Sequence, residues 1–417
     1  MSLASTKGPK FFYGYVVTIA AFFIFLVGWG IYTPTFSLFF KPVMTEFGWT
    51  RSETVLGYSL AMTVQGALSI LMGWLTDRLG PRTVVSVFGS FLGICYLLLS
   101  QVSALWQFQI YYALVAAVGV STLTVPLMAT LARWFAKRRG LMTGIAQAGL
   151  GMGGLVFAPL TGWLIINHGW RTAYSTLGII TLAGIIIPAL FLRRDPRELG
   201  QLPDGAGGRK TQQANNRNLD QQAAGLSLKK AILRRQFWMI VGIYFSFGFC
   251  RTMFMVHTAA HVQDLGFSLI HGANVLAAIT GISIVGRIGM GRLADKTGSK
   301  TALLIGYAVM TVALIWGLVT RDLWGLYLFA IVFGLGWGAQ AILRFAVTSE
   351  TFGLASLGLL MGIFMLIESS GATLGSYLGG YIFDLVGNYS PAFWIAIGLS
   401  IVGIIIAWRL KPLVVNT

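Results

Sequence analysis

Four charged side chains interrupt long apolar stretches of this sequence, and all four lie in its second half. They are Arg251, Arg287, Arg344 and Glu368. A charge at the depth of a lipid bilayer is costly, so such a residue usually faces a cavity or a charged partner. Three positive charges and one negative charge leave an excess of about two positive charges in a cavity that they share. These residue types therefore predict a binding site for a small anion.

Arg287 is the first candidate for a direct contact with that anion. It precedes Asp295 by eight residues, which is roughly 12 Å along a helix that rises about 1.5 Å per residue. This spacing places Arg287 inside the bilayer. A planar guanidinium binds a carboxylate through two parallel hydrogen bonds, which a lysine cannot do. The alternative is a structural arginine that donates to carbonyl groups at a helix end.

Glu368 has two physical interpretations. It lies at a depth similar to that of Arg251, so the two residues can form a buried ion pair. Alternatively, partial burial favours the neutral, protonated carboxyl group, which would make Glu368 a proton carrier. Arg344 lies six residues before Glu350, so its long side chain either extends to the membrane interface or contributes to the substrate site.

His257, Tyr112 and Gln147 are secondary candidates for the substrate site. His257 and His261 have the i, i+4 spacing of a metal pair, but no third ligand of fixed geometry follows, so we expect no metal site. His257 is deep enough to line a cavity. Tyr112 and Gln147 are uncharged, and such residues in membrane helices more often form packing hydrogen bonds than ligand contacts.

Membrane-spanning helices are the elements that must position these residues. The 417 residues are 56% hydrophobic and only 10% charged, whereas soluble domains are about 25% charged. A bilayer core about 30 Å thick requires about 20 apolar residues per helix. The sequence contains twelve such runs: Tyr13–Phe40, Thr54–Leu75, Thr83–Ser100, Leu105–Leu131, Leu141–Ile166, Thr172–Leu192, Phe237–Val262, Gly272–Leu293, Thr301–Val319, Leu323–Thr348, Leu354–Ile382 and Pro391–Trp408.

The distribution of basic residues predicts the orientation of the chain. With both termini cytoplasmic, only four of the 30 basic residues lie outside, namely Lys41, Arg51, Arg171 and Arg321. Cytoplasmic loops of membrane proteins carry such an excess of Lys and Arg. It also accounts for the net charge of +17, because basic loops lie beside acidic lipid headgroups. We therefore expect a multi-pass protein of the cell inner membrane, in contact with the lipid bilayer and not with nucleic acid.

A polar segment divides the apolar runs into two groups of six. Residues 193–235 are rich in Gln, Asn, Gly and basic residues and lack the aliphatic content to bury a core. This predicts an N-terminal six-helix bundle at 1–192, a cytoplasmic linker at 193–235 and a C-terminal six-helix bundle at 236–417.

A loop motif recurs after the second and the eighth apolar runs, at an offset of 218 residues. Its residues combine a tight glycine turn with paired charges. They are Gly73, Asp77, Arg78, Gly80 and Arg82 in the first copy, and Gly291, Asp295, Lys296, Gly298 and Lys300 in the second.

Small residues recur as well, with the spacing of four that lets membrane helices approach closely. The first group matches the second at an offset of 217 residues. This pattern predicts either static packing or a gating contact between the two halves. The groups are Gly154, Ala158 and Gly162, and Gly371, Gly375 and Gly379.

The paired loops resemble the G-x-L-x-D-R-x-G-x-R/K signature of the major facilitator superfamily, and the resemblance covers the whole chain. It implies the all-α membrane fold of that superfamily, with twelve transmembrane helices in two pseudo-symmetric six-helix bundles. It also implies a conformational role for the loops. Asp77 and Asp295, with their neighbouring bases, would latch the cytoplasmic side while the carrier faces outward.

Residues 36–53 and 133–149 resemble, more narrowly, the monocarboxylate porters and the related oxalate:formate antiporters. In those families a helix 8 arginine with this spacing to Gly and Asp binds the substrate carboxylate, which implies that role for Arg287. The sequence also departs from both families. Glu368 stands where the antiporters have a lysine ligand, while Ser283 and Pro34 stand where the porters have an aspartate and a lysine involved in proton coupling.

These features together predict a secondary carrier that works by alternating access. The leading hypothesis is symport of a proton with a monocarboxylate such as lactate or pyruvate, and the second is carboxylate exchange. An exporter of amphiphilic compounds and a transport-dead membrane receptor are weaker alternatives. The sequence contains no phosphate-binding loop and no nucleophile triad, so we expect neither ATP-driven pumping nor an enzyme. We expect a monomer without a cofactor.

Overall fold

The computed structural model describes residues 11–135, 138–203, 228–352 and 357–410, and nearly all of them are helical. Eleven helices are long and apolar enough to cross a membrane. One of them, Gly140–Ala189, has 50 residues, which is far more than the roughly 20 residues that span a bilayer. It is broken at Gly169, whose φ of 77° and ψ of 160° are not helical. The chain therefore forms the twelve spans that the sequence predicts.

The twelve helices are numbered in chain order. The first set comprises α1 to α6, and the second set comprises α7 to α12. Their bounds are α1 Gly14–Phe47, α2 Arg51–Leu79, α3 Pro81–Leu99, α4 Leu105–Trp134, α5 139–168, α6 170–189, α7 Arg235–Asp264, α8 Leu269–Thr297, α9 Ser299–Val319, α10 Leu323–Phe352, α11 Leu357–Val386 and α12 Ser390–Arg409. Within α4, Tyr111–Ala116 forms a π-helical turn.

Several helices are longer than the apolar runs that predict them. The first run ends at Phe40, whereas α1 continues to Phe47. An apolar run marks only the part of a helix in hydrocarbon, while backbone hydrogen bonding continues into the polar interface. The start of α2 is defined by a capping box: Thr50 Oγ1 accepts from the Glu53 amide, and Glu53 Oε2 accepts from the Thr50 amide at 2.9 Å.

The described ends of the segment predicted as a linker are folded. Pro196–Leu199 forms a short 3₁₀ helix and Leu228–Ile232 forms one helical turn. Gln201 Oε1 accepts from the Tyr13 amide at 3.0 Å, and Ala231 is fully buried. Both described ends of the segment are therefore attached to the bundle, because a few apolar residues and side-chain amides suffice to attach a chain to helix ends. The central part of the predicted linker, 204–227, lies outside the described residues.

Small residues bring the two sets together along two seams. On the α5–α8 seam, a Cβ added to Gly154 would lie 2.5 Å from Thr280 Oγ1. On the α2–α11 seam, Ser59 Oγ lies 2.8 Å from Ser376 Oγ. Such close backbone approach is how membrane helices gain packing energy in the absence of a hydrophobic drive between them.

Candidate functional site

Ion pairs between the two sets close one end of the bundle. This end, where α1 ends at Phe47 and α12 begins at Ser390, is called the opposite end. Asp264 on α7 accepts from Lys41 Nζ at 2.9 Å and from Arg51 Nη2 at 2.8 Å. The main-chain amide of Arg51 donates to Asp384 at 3.0 Å, and its guanidinium also donates to the Tyr389 hydroxyl. Arg51 itself is buried at 6% exposure, whereas its partners Asp264 and Asp384 remain partly accessible to solvent.

His257 belongs to this closed end. Its Nε2 lies 2.9 Å from the Ser376 carbonyl, which can only accept, so Nε2 carries the hydrogen in this arrangement. Its Nδ1 lies 3.2 Å from the Tyr389 hydroxyl and accepts from it in the neutral ring. The side chain is completely buried. The structure therefore surrounds His257 with protein atoms, whereas the sequence suggested a cavity residue. Among the described residues, no group of three potential ligands could hold a metal ion.

The two sets diverge toward the terminal end, the end of the bundle that contains Gly14 and Arg409. Along the α5–α8 seam, contacts extend from the opposite end to Arg287 and Gln147. Farther on, a Cβ added to Gly144, Gly289 or Gly362 would meet no atom within 4 Å beyond its own helix backbone. Arg287 therefore lies where the described contacts of this seam end, and the seam is open beyond it toward the terminal end.

Arg287 is held across the boundary between the two sets. Its Nη1 donates to the main-chain carbonyl of Gln147 on α5 at 3.2 Å. Its guanidinium carbon lies 5.9 Å from the ring centroid of Trp337, and its buried Nε has no hydrogen-bond partner among the described residues. A buried guanidinium with an unused donor favours an acceptor that enters from outside.

Glu368 on α11 joins two arginines. Arg344 Nη1 donates to its Oε2 at 2.5 Å, and Arg251 Nη2 lies 4.0 Å from its Oε1. The Arg344 guanidinium also stacks on Phe247 at 3.9 Å and donates from Nε to the Gln340 carbonyl at 2.9 Å. Of the two positions that the sequence left open for Arg344, the structure excludes extension to the membrane interface, because a carboxylate, a carbonyl and an aromatic face hold the side chain inside the bundle. The predicted approach of Arg251 to Glu368 is present, as the longer of the two contacts.

This arrangement leaves the site positively charged. One carboxylate is shared by Arg344 and Arg251, and among the described residues Arg287 has no acidic partner. The Nε atoms of Arg251 and Arg287 are buried without hydrogen-bond partners in that part of the chain. Three guanidiniums and one carboxylate thus retain the excess positive charge that the sequence predicts, with unused donors on two of them.

Tyr112 and Gln147 occupy different surroundings. Tyr112 is 1% exposed, and its hydroxyl lies 2.9 Å from that of Tyr174 inside the first set. Tyr112 therefore forms a packing hydrogen bond, one of the two interpretations that the sequence left open. The Gln147 side chain donates to Met128 Sδ at 3.4 Å, and only its main-chain carbonyl contacts Arg287.

Comparison with known proteins establishes the family. The model of the Major Facilitator Superfamily matches residues 18–352, and again residues 284–415. The chain belongs to the Major Facilitator Superfamily. It is 28% identical to monocarboxylate transporter 13 of Rattus norvegicus over 94% of the chain and 87% of that protein. It is 29% identical to monocarboxylate transporter 11 of Homo sapiens over 94% of the chain and 81% of that protein.

A solved structure has the same fold. It is a bacterial homologue of the human lysosomal transporter Spinster, in an inward-facing and occupied conformation. Its TM-score is 0.71 at 15% sequence identity, with 96% of this chain and 97% of that chain covered. The similarity supports the twelve-helix superfamily fold of this multi-pass membrane protein.

The two signature loops of this superfamily member lie at the open terminal end. Gly80 and Gly298 end α2 and α8 with φ values of 81° and 87°, which favour glycine. Asp77 pairs with Arg133 of the same set at 2.5 Å, while Asp295 is exposed. Arg78 stacks on Trp74 at 4.2 Å. The remaining loop residues at this end are Gly73, Arg82, Gly291, Lys296 and Lys300.

Contacts at the closed end and around Arg344 have little or no signal in the sequence. The Arg51–Asp264 ion pair joins residues 213 positions apart, and such a pair has no local signal in one sequence. Phe247 lies in an apolar stretch of α7, and it stacks on Arg344 of α10. Its position four residues before Arg251, on the same face of α7, was the only available sign.

Proposed function

We propose that this superfamily member is a secondary carrier of a small monocarboxylate anion, and not an enzyme. The observation that carries the proposal is a pair of buried donors, the Nε atoms of Arg287 and Arg251, that have no hydrogen-bond partner among the described residues. The names of the monocarboxylate transporter relatives support the substrate class.

Arg287 is the proposed ligand of the substrate carboxylate. Its Nη1 is used by the Gln147 carbonyl, while its Nε has no partner in the described chain. A carboxylate can therefore bind side-on to Nε and Nη2, with two parallel hydrogen bonds, without breaking the contact to α5. The Trp337 ring beside the guanidinium would pack against the apolar part of a short acid.

Glu368 is the proposed site of proton coupling. In its charged form it neutralises one of the two arginines that it contacts. Protonation would remove that negative charge and leave Arg344 and Arg251 to attract an anion. Proton binding and anion binding would then favour each other, and the loaded carrier would move without accumulating an unbalanced charge.

Carboxylate exchange is the second candidate, and the short ion pair favours it. Glu368 and Arg344 are joined at 2.5 Å, and separation of such a buried ion pair would leave each charge without its partner. If Glu368 keeps its charge throughout the cycle, the carrier would return only with another anion bound. A countertransport measurement separates these two modes.

The proposed orientation has both termini in the cytoplasm of a cell with an inner membrane. The open terminal end would then face the cytoplasm, and Arg51 and Asp264 would close the outer side. The bundles at 1–192 and 236–417 would rock about Arg287 and Glu368, and the loops at Asp77 and Asp295 would close the inner side in the reverse state. We propose a monomer as the working unit.

Uptake by purified protein in liposomes tests the proposal. Labelled lactate, pyruvate, aromatic acids and oxalate are supplied with and without an inward proton gradient, together with a neutral amide of each accepted acid as competitor. We expect the acids to be accumulated with the gradient and the amides not to compete. Equal competition by an amide would contradict an anion carrier, and gradient-independent exchange alone would favour the second candidate.

A further inference from the structure

A basic cavity lies at the terminal end of the second set, away from Arg287 and Glu368. It has a volume of about 580 Å³, which is within the usual range of ligand sites. Three helices contribute cations to it: Arg235 from the start of α7, Lys300 from the start of α9 and Arg409 from the end of α12. None of the residues that line it is acidic. Gln236, Met239 and Trp408 complete its wall.

Two further features favour an anion in this cavity. Arg235 and Lys300 belong to the first turns of α7 and α9, so two helix N-termini with unsatisfied amide groups adjoin it. Among the described residues, neither Arg235, Lys300 nor Arg409 forms an ion pair. Converging unpaired cations and helix dipoles attract a phosphate more strongly than a solvated surface charge does.

The corresponding corner of the first set is filled by the chain itself. There, the start of α1 adjoins the end of α6, and the Tyr13 hydroxyl donates to the Phe191 carbonyl at 3.0 Å. Gln201 covers this corner, since its Nε2 donates to the Phe11 carbonyl at 2.8 Å. The two sets are related by the repeat, and at the 218-residue offset of the loops Phe191 in this corner corresponds to Arg409 in the cavity.

We propose that this cavity binds the phosphate headgroup of an anionic phospholipid. The ligand belongs to the membrane because the cavity lies where spanning helices end and because Trp408 is 66% exposed beside the cations. Tryptophan at helix ends favours the headgroup level of a bilayer, and basic pockets between membrane helices bind acidic headgroups. Arg235, Lys300 and Arg409 hold the phosphate, while Met239 and Trp408 contact the acyl region.

The test measures lipid binding to detergent-purified protein, so it does not depend on transport or on the proposed substrate. Short-chain phosphatidylglycerol, short-chain phosphatidylcholine and inorganic phosphate are titrated separately by calorimetry. The site variant is Arg235→Gln/Arg409→Gln. The matched control, Arg194→Gln/Arg197→Gln, removes the same charge beyond the end of α6, also at the terminal end.

We expect phosphatidylglycerol to bind the unmodified protein and the control with the same affinity. The site variant should bind about thirty-fold more weakly, because each cation near acidic headgroups contributes about five-fold. Three outcomes would overturn the proposal. These are equal binding of phosphatidylcholine, an equal loss of affinity in the site and control variants, and binding of inorganic phosphate as tight as that of the lipid with the same dependence on Arg235 and Arg409.

Discussion

Glu368 is one carboxylate between two guanidiniums, and this imbalance determines the electrostatics of the site. Its short contact to Arg344 and longer contact to Arg251 leave Arg251 only partly neutralised. A buried ion pair contributes little to stability by itself, but removal of one partner leaves a costly uncompensated charge. An anion that approaches Arg251 or Arg287 therefore supplies the negative charge that the site lacks, and this favours its binding.

Arg287 is expected to determine the affinity for the substrate. Arg287→Lys keeps the charge but loses the planar two-point contact, which is worth about 1.5 to 3 kcal/mol for a charged partner. Half-saturation for uptake in liposomes should rise by roughly ten- to a hundred-fold. The matched control is Arg292→Lys, on the exposed end of the same helix, which should leave half-saturation unchanged. Unaltered affinity in Arg287→Lys would contradict its assignment to the carboxylate.

Glu368→Gln is expected to separate accumulation from exchange. The amide keeps the shape of the side chain but neither binds nor releases a proton. The empty carrier therefore cannot return with the negative charge that Glu368 has after proton release. Exchange between equal pools of substrate should continue, while accumulation driven by a pH gradient should be lost. The double variant Glu368→Gln/Arg344→Gln tests the ion pair and should unfold at a higher temperature than the single variant. Undiminished pH-driven accumulation in the single variant would exclude Glu368 as the coupling residue.

At the scale of elements, glycine determines which helix faces meet. Gly153 and Gly371 are related by the 218-residue offset of the loops, and each lies against a neighbouring carbonyl of its own set, Leu26 for Gly153 and Phe245 for Gly371. Gly154, which the sequence paired with Gly371 at an offset of 217, faces Thr280 across the seam instead. One residue rotates a helical position by about 100°. A one-residue error in register therefore paired Gly371, which packs within its own set, with a glycine that contacts the other set.

A pair of glycine substitutions in α11 tests this packing. A Cβ at Gly371 would overlap the Phe245 carbonyl, whereas one at Gly362 would meet nothing within 4 Å. Gly371→Ala should destabilise the protein by about 1 to 3 kcal/mol through overpacking. Gly362→Ala should be neutral or stabilising by up to about 1 kcal/mol, because alanine favours a helix more than glycine. Thermal unfolding in detergent measures both, and equal unfolding temperatures would contradict the close contact.

At the scale of the whole molecule, the sequence predicted the spans but not the conformation. Apolar runs and the repeated loops depend on local composition, so twelve helices and their order could be derived directly. The closure of the opposite end depends on pairs such as Arg51 with Asp264 and Lys41 with Asp264, which are brought together only by the packed bundle. The sequence left two positions open for Arg344 for the same reason, because its aromatic and acidic partners lie on other helices.

Arg51 is expected to hold the opposite end closed. It joins α2 to Asp264 on α7 through a partly buried contact and to Tyr389 before α12 through a buried one, so it connects the two sets. Arg171 is a suitable control, because its ion pair with Glu46 at the same end lies within the first set. In Ser59→Cys protein, Arg51→Gln should increase labelling by an impermeant thiol reagent several-fold, since Ser59 packs against Ser376 behind this ion pair.

Arg171→Gln should leave labelling of the same cysteine at its original rate, since it removes an equal charge from that end without breaking a contact between the sets. The endogenous Cys95 and Cys250 are buried, so protein without Ser59→Cys provides the background. Opening of this end shifts the conformational equilibrium toward the state that binds substrate from that side. Equal labelling of the Arg51 and Arg171 variants would show that Arg51 contributes no more to closure than a surface ion pair does.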